Sequence, residues 1–204
     1  MKKSVFPALL LCAALAVCAL ATGCSGEKET DSPDTQPVQS GEEAPAGTAS
    51  ELGCLGSFSA GTLDGGSFTQ EDIAAKDMTV INFWALTCGP CIVEMPDLAA
   101  FAGALPDNVQ LLTVCLDGNG NEEAVREVLD GAGFEGVTLI SGDGDLAALA
   151  ASLMYTPTTV LVDAEGNLVG DAIIGRQEAL SETYLAAVNA ALSAGGKAEI
   201  SLAS

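Results

Sequence analysis

The chain has 204 residues, room for one domain plus extensions, and carries a net charge of −21 at pH 7. That acidity excludes nucleic-acid binding, which needs basic patches, and disfavours lying flat on anionic lipid. There is no histidine, which removes Ser-His-Asp and Cys-His catalysis and most copper, haem and catalytic zinc sites.

At the N-terminus, Lys2 and Lys3 precede an apolar stretch from Val5 to Ala21 that ends in Leu20-Ala21-Thr22-Gly23-Cys24. A charged start, an apolar run and small residues before a cut site predict an export signal over residues 1–23. Small residues directly before a cysteine resemble the lipobox of bacterial lipoproteins, with Ala21 standing where leucine is usual. The resemblance implies cleavage before Cys24 and lipidation of that cysteine, with the two or more acyl chains that stable anchoring needs. The other reading is an uncleaved anchor, since the run is just long enough to span a bilayer, for which about 20 residues are needed. Both readings leave the rest of the chain outside the cytoplasm, tethered to the bacterial cell membrane. Residues 24–50 are rich in Ser, Thr, Pro, Gly, Glu and Asp and nearly free of large apolar groups. They cannot bury enough surface to offset their ordering entropy and read as a disordered acidic tether.

A folded domain is predicted over residues 51–195, followed by a flexible tail at 196–204. Turn residues between apolar ones from Gly61 to Phe68 suit a short hairpin, and Thr69 to Asp72 a capped helical turn. Thr79 to Trp84 (TVINFW) is a buried strand and Cys91 to Ala104 a helix with Pro96 inside it. Val109 to Leu116 is a second strand, and Asn121 caps a helix through Asp130. Val137 to Ile140 is a strand, Leu146 to Leu153 a helix, and Thr158 to Asp163 and Leu168 to Ile174 form a hairpin around Ala164 to Asn167. Ser181 to Ser193 closes the domain as a helix with Tyr184, Leu185, Val188 and Leu192 on one face. Strands alternating with helices imply an α/β domain with a largely parallel sheet, to which the last hairpin adds an antiparallel edge.

The chemistry centres on Cys88-Gly89-Pro90-Cys91, directly after the TVINFW strand. Cys88 is placed at a helix N-terminus, where free N–H groups and the helix dipole lower a thiol's pKa from about 8.5. It is the candidate attacking nucleophile. Cys91, one turn further and more buried, would resolve the mixed disulfide and needs a local proton acceptor. Glu94 shares its helix face, and an apolar setting raises a carboxylate's pKa toward the working pH of a general base.

CGPC after a strand and at the start of a helix, followed much later by Tyr155-Thr156-Pro157-Thr158 before another strand, resembles the thioredoxin superfamily. More narrowly it is similar to membrane-tethered, extracytoplasmic thiol-disulfide oxidoreductases of the TlpA/ResA type. The likeness covers about Gly61 to Ala190 and includes Asn82-Phe83-Trp84-Ala85, Glu94, Pro96 and Val162 to Gly166. It implies a thioredoxin-like fold, a central mixed sheet flanked by helices, here with an N-terminal β-hairpin extension. It also implies a cis Thr156–Pro157 bond facing the cysteines, with the backbone of Thr156 pairing with the substrate chain. Trp84, the only tryptophan, either flanks the site or fills core. Thr87 stands where the family usually has tryptophan and bears on the partner-facing surface. Asn82 stands where cytoplasmic thioredoxins carry a buried aspartate. Asparagine cannot take a proton, so that role passes to Glu94.

With the signal removed, Cys54 and Cys115 remain, and two thiols outside the cytoplasm suggest a second disulfide, the alternative being two free thiols. The leading expectation is a reductase of disulfides in exported proteins, because the Gly-Pro pair matches reducing thioredoxin, with a potential of about −270 mV. No other cofactor is implied. The resemblance suggests a CcdA/DsbD-like transmembrane electron donor and, among clients, apocytochrome c. Alternatives are a disulfide-forming oxidant of the same fold, and a non-catalytic lipoprotein that binds a partner or holds zinc through Cys54, Cys88, Cys91 and Cys115.

Overall fold

A computed structural model of the chain describes residues 53–203. The expected signal, the tether and the lipidation site Cys24 lie outside the described residues. Among those described, no helix is long and apolar enough to cross a membrane.

The elements follow the sequence pattern closely. β1 (Ser59–Gly61) and β2 (Ser67–Thr69) form the small hairpin, and α1 (Gln70–Ala74) starts on a capping box. There the Thr69 Oγ1 accepts from the Glu71 N–H at 3.2 Å while the Thr69 N–H donates to Asp72 at 2.8 Å. β3 (Met78–Trp84), α2 (Gly89–Ala104), β4 (Val109–Cys115), α3 (Glu122–Ala132), β5 (Val137–Leu139), α4 (Gly144–Ser152), β6 (Thr158–Asp163), β7 (Leu168–Ile174) and α5 (Leu180–Ala194) complete the domain. Helices α2, α4 and α5 begin one or two residues ahead of the expected starts: exposed Gly89-Pro90 and Gly144-Asp145 open α2 and α4 before any residue faces the core, whereas the added residue of α5, Leu180, is itself buried. Asn121 holds the N-cap position of α3 but not its role: its side chain donates back to the Asp117 carbonyl at 2.8 Å.

The five-stranded sheet runs β5-β4-β3-β6-β7, with β3, β4 and β5 parallel, β6 antiparallel to β3, and β7 antiparallel to β6. The mixed sheet and the separate hairpin are those of the thioredoxin-like fold. Alternation along β3 divides the core into two layers. Val80 and Trp84 face a cluster with α2, α3 and α5, including Met95, Leu98, Phe101, Tyr184 and Val188. Ile81 and Phe83 face the other cluster, with Phe58, Phe68, Ile73, Leu146 and Leu149. The polar Asn82 and Thr159 are cross-strand partners and, by the same alternation, point into the first layer. β3 is buried at every position, so the residues that follow it emerge from a fixed base.

Two expectations need correction. The tail is not loose: the Ala203 N–H donates to the Ala104 carbonyl at 2.9 Å, and Asn189 brackets Ile200 with bonds of 3.0 and 2.8 Å. Ile200 and Leu202 pack on the core, and Lys197 pairs with Asp77 at 2.7 Å. The apolar pair and the lysine dock the segment that its small residues would otherwise leave frayed. The second correction concerns Cys54 and Cys115, which are both free. Cys54 bridges Asn167 at the β6–β7 turn, whose Asp163 is level with Met78, whereas Cys115 is level with Trp84. Six strand residues separate these levels, roughly 20 Å at about 3.3 Å per residue, far beyond the roughly 7 Å a disulfide tolerates between α-carbons. The same separation prevents the four thiols from converging on one zinc ion.

Candidate active site

β3 delivers the chain to Ala85, and α2 begins at Gly89. Between them the backbone is held by two bonds. The Leu86 N–H donates to Asp117 Oδ1 at 2.8 Å, and the Cys88 N–H donates to the Ala85 carbonyl at 3.0 Å. Cys88 is the N-cap residue of α2, and its sulfur accepts from the Cys91 N–H at 3.3 Å. Pro90 occupies the first helical turn, where a missing N–H leaves no bond unmade. Cys88 and Cys91 are joined in a disulfide with α-carbons 5.3 Å apart. Cys88 is half-buried and flanked by exposed Thr87, Gly89 and Pro90, whereas Cys91 is buried. Any reagent from solvent therefore meets the sulfur of Cys88 first.

The Thr156–Pro157 bond is cis, and the Thr156 carbonyl oxygen lies 3.5 Å from the Cys88 sulfur. The loop is pinned on both sides of this bond. Thr158 Oγ1 donates to the Tyr155 carbonyl at 2.8 Å, and the Gly175 N–H donates to the Pro157 carbonyl at 2.8 Å. Thr156 is half-buried beside the exposed side chains of Met154 and Tyr155. Trp84 is fully buried in the first core layer and its indole N–H has no partner. It fills core and supports the cysteine loop from beneath, and it has no surface with which to touch a client. The apolar strand that carries it inward decides this.

Beneath Cys91 lies Glu94, fully buried. The Asn82 Nδ2 donates to Glu94 Oε1 at 3.2 Å and to Thr159 Oγ1 at 2.9 Å, and Thr159 Oγ1 meets the Tyr184 hydroxyl at 2.6 Å. Burial pushes the Glu94 carboxyl from its ordinary 4.5 up to about 7, against the pull of the Asn82 amide, the Gln177 backbone dipole and the Arg176 cation. A carboxyl poised there can take or give a proton at neutral pH. Burial and the neighbouring Asp117 push the Cys115 thiol up to about 12, so it stays protonated and inert.

The structure thus gathers Cys88, Cys91, Glu94, Thr87, Thr156 and Pro157 at one end of the sheet, and leaves Cys54 at the other. Sequence reasoning overlooked Asp117, Thr159 and Tyr184. Thr159 was visible as one of two threonines that lead into the apolar run of β6. Tyr184 was visible as the one polar-tipped ring on the apolar face of α5. Asp117 carried the signal of an acid at a strand end.

Comparison with known proteins agrees with this geometry. A family model described as Redoxin matches residues 39–184. The chain is 28% identical over 139 residues to the thioredoxin-like protein YneN of Bacillus subtilis, covering 68% of this chain and 73% of that one. It is 26% identical over 124 residues to the thiol-disulfide oxidoreductase ResA of Halalkalibacterium halodurans, covering 60% and 68%. The structure of MTB DsbF, in mixed oxidised and reduced forms, superposes with a TM-score of 0.53 at 29% identity over 65% of this chain and 95% of that one.

Proposed function

Because the chain belongs to the Redoxin family and is a thioredoxin-like protein-disulfide oxidoreductase, we propose that it reduces disulfides in exported proteins outside the cytoplasm. The observation that carries the reading is the unequal pair: a half-exposed Cys88 at a helix N-terminus, bonded to a buried Cys91 one turn above Glu94. The export-type segment ending at Cys24 supports a lipid anchor at the bacterial cell membrane.

In the dithiol form, the Cys88 thiolate attacks one sulfur of a client disulfide. A Cys88–client bond forms, the client S–S bond breaks, and the departing thiolate takes a proton. Cys91 then passes its proton to Glu94 and attacks the Cys88 sulfur. The Cys88–Cys91 disulfide forms and the second client thiolate leaves, so two electrons move from the cysteine pair to the client. Thr156 offers its backbone to an extended client segment, a main-chain mode that tolerates varied side chains, while exposed Thr87 shapes the surface beside Cys88 and buried Pro157, its carbonyl held by the Gly175 N–H, backs the loop. A dithiol donor of the CcdA/DsbD-like transmembrane type would reset the pair, and apocytochrome c is one client of suitable chemistry.

The direction of electron flow is tested by the midpoint potential of the pair, read by alkylation and mass after equilibration in graded thiol buffers. A value near thioredoxin's, about −270 mV, supports the reductase; a value near about −120 mV makes the protein a disulfide donor. Cys24→Ala should release the protein from membranes; retention would favour the uncleaved anchor.

A further inference from the structure

Four polar side chains cross the first core layer in one line: Glu94 on α2, Asn82 on β3, Thr159 on β6 and Tyr184 on α5. All four are essentially without exposure. Both hydrogens of the Asn82 amide are used, one toward Glu94 Oε1 and one toward Thr159 Oγ1. Its oxygen Oδ1 and the second carboxyl oxygen of Glu94 have no partner. Buried polar atoms without partners are costly, so the arrangement is held by something stronger than the amide itself.

The orientation of that amide matters to Glu94. With Nδ2 toward the carboxyl it donates, which favours the carboxylate. Turned over, it presents Oδ1, which can only accept and so favours the protonated acid. We propose that Thr159 and Tyr184 are positioning residues of the redox site: their hydroxyl pair holds the Asn82 amide with its nitrogen toward Glu94, and so sets how readily Glu94 takes the proton of Cys91.

The reason is a count of hydrogens. The Thr159 and Tyr184 hydroxyls bond at 2.6 Å, and either can donate; when Thr159 donates, Tyr184 takes its hydrogen and a lone pair on the Thr159 oxygen stays free for the amide. Without the Tyr184 hydroxyl, that O–H loses its acceptor, and Asn82 Oδ1, which has no partner, becomes available to it when the amide turns over. Without the Thr159 hydroxyl, Nδ2 loses an acceptor and the same turn becomes favourable. Tyr184 itself is seated by an edge contact with Phe101, ring centres 5.6 Å apart, so its hydroxyl is a fixed reference. The other groups around Glu94 are Cys91 and Asp97 on α2, and Arg176 and the Gln177 backbone ahead of α5. They act irrespective of which way the amide points. The influence runs both ways: burial raises the Tyr184 phenol, the charge of Glu94 adds to it, and the Thr159 and Asn82 side chains pull against both.

The inference rests on Glu94 as the proton acceptor of the exchange, and the test separates the two. In the full chain, the Glu94 carboxyl carbon, identified by its loss in Glu94→Gln, is titrated by 13C NMR in Tyr184→Phe, Thr159→Val and Thr159→Ser. Tyr184→Phe and Thr159→Val should titrate about one pH unit higher than the parent, the worth of about one hydrogen bond to a charged group. Thr159→Ser, which keeps the hydroxyl, should match the parent. The pH–rate profile of client reduction should move by the same amount. Unmoved titration in Tyr184→Phe and Thr159→Val overturns the proposal, and so does a Thr159→Ser shift as large as that of Thr159→Val, which would make packing the cause. If Tyr184→Phe does not fold, the two Thr159 variants decide. A titration that moves while the rate profile stays leaves the hydroxyl pair's control of the carboxyl standing and removes Glu94 from the exchange.

Discussion

Asn82 and Glu94 meet at 3.2 Å in a core where neither side chain has any exposure. Asparagine holds no exchangeable charge, so the carboxyl is left as the group that can serve the buried Cys91 one turn before it. Removing its charge should therefore strike the resolving step rather than the first attack. Glu94→Gln is expected to slow decay of the mixed disulfide by about a hundredfold or more at neutral pH, the usual range for loss of a general base, and to flatten the dependence on pH around about 7. Stopped-flow decay of the mixed disulfide across neutral pH measures it, and an unchanged profile would remove Glu94 from the mechanism.

The same carboxyl makes stability depend on pH in an unusual direction. Its folded value is raised from 4.5 to about 7, so between these the native state holds a proton that the unfolded state has lost. Stability is then full below about 4.5, falls as pH rises toward about 7, and is level above it. The loss is on the order of 3 kcal/mol. Denaturant titrations of the disulfide form should show it, and Glu94→Gln, neutral throughout, should lack it.

Cys91→Ser should accumulate covalent complexes with disulfide-bearing clients through Cys88, dissolved by added thiol, because the resolving sulfur is absent. Cys88→Ser should trap none, since Cys91 is buried. Complexes of equal abundance from both variants on a non-reducing gel would contradict the assigned order of attack.

The two remaining cysteines should differ sharply toward an alkylating reagent in the native protein. Cys54 is exposed and should react at once. Cys115, buried and with its thiol pushed up to about 12, should be modified only after unfolding. Mass spectrometry of the native and denatured protein reads both. A two-mass-unit loss of these thiols as a bond would overturn their separation across the sheet.

Docking of the tail carries a stability cost of removal. Ending the chain after Gly196 takes away the Lys197–Asp77 pair and the packing of Ile200 and Leu202. Half-burial of two such side chains is worth about 2 kcal/mol, to be read as a lower denaturation midpoint. An unchanged midpoint would return the segment to a frayed tail.

Much of the site was legible before any fold was known, because its signals are local. A β-rich apolar run, TVINFW, ends where a proline-started helix begins, so Cys88 falls at the helix N-terminus and Cys91 one turn in. Glu94 follows at a spacing that shares the face of Cys91. These placements depend only on helix and strand periods, which the chain carries in its order of residues. Trp84 was ambiguous at that level, since alternation says which side of a strand a residue takes and not which layer covers it.

Tertiary structure decided the rest. Asn82 and Thr159 lie 77 positions apart, and Thr159 and Tyr184 lie 25 apart. They meet only because the β3–β6 register sets Asn82 opposite Thr159 and α5 packs across that face. A shift of one residue in that register would send Thr159 to the other layer. Cys54 and Cys115 look pairable as a leftover even number, yet the same register sets them at opposite ends of the sheet. The sequence by itself determined the cysteine pair and the helix whose N-terminus carries it, since backbone periods act over a few residues. Which buried polar groups meet across the core, and which thiols stay apart, followed from strand order and register, which no local period contains.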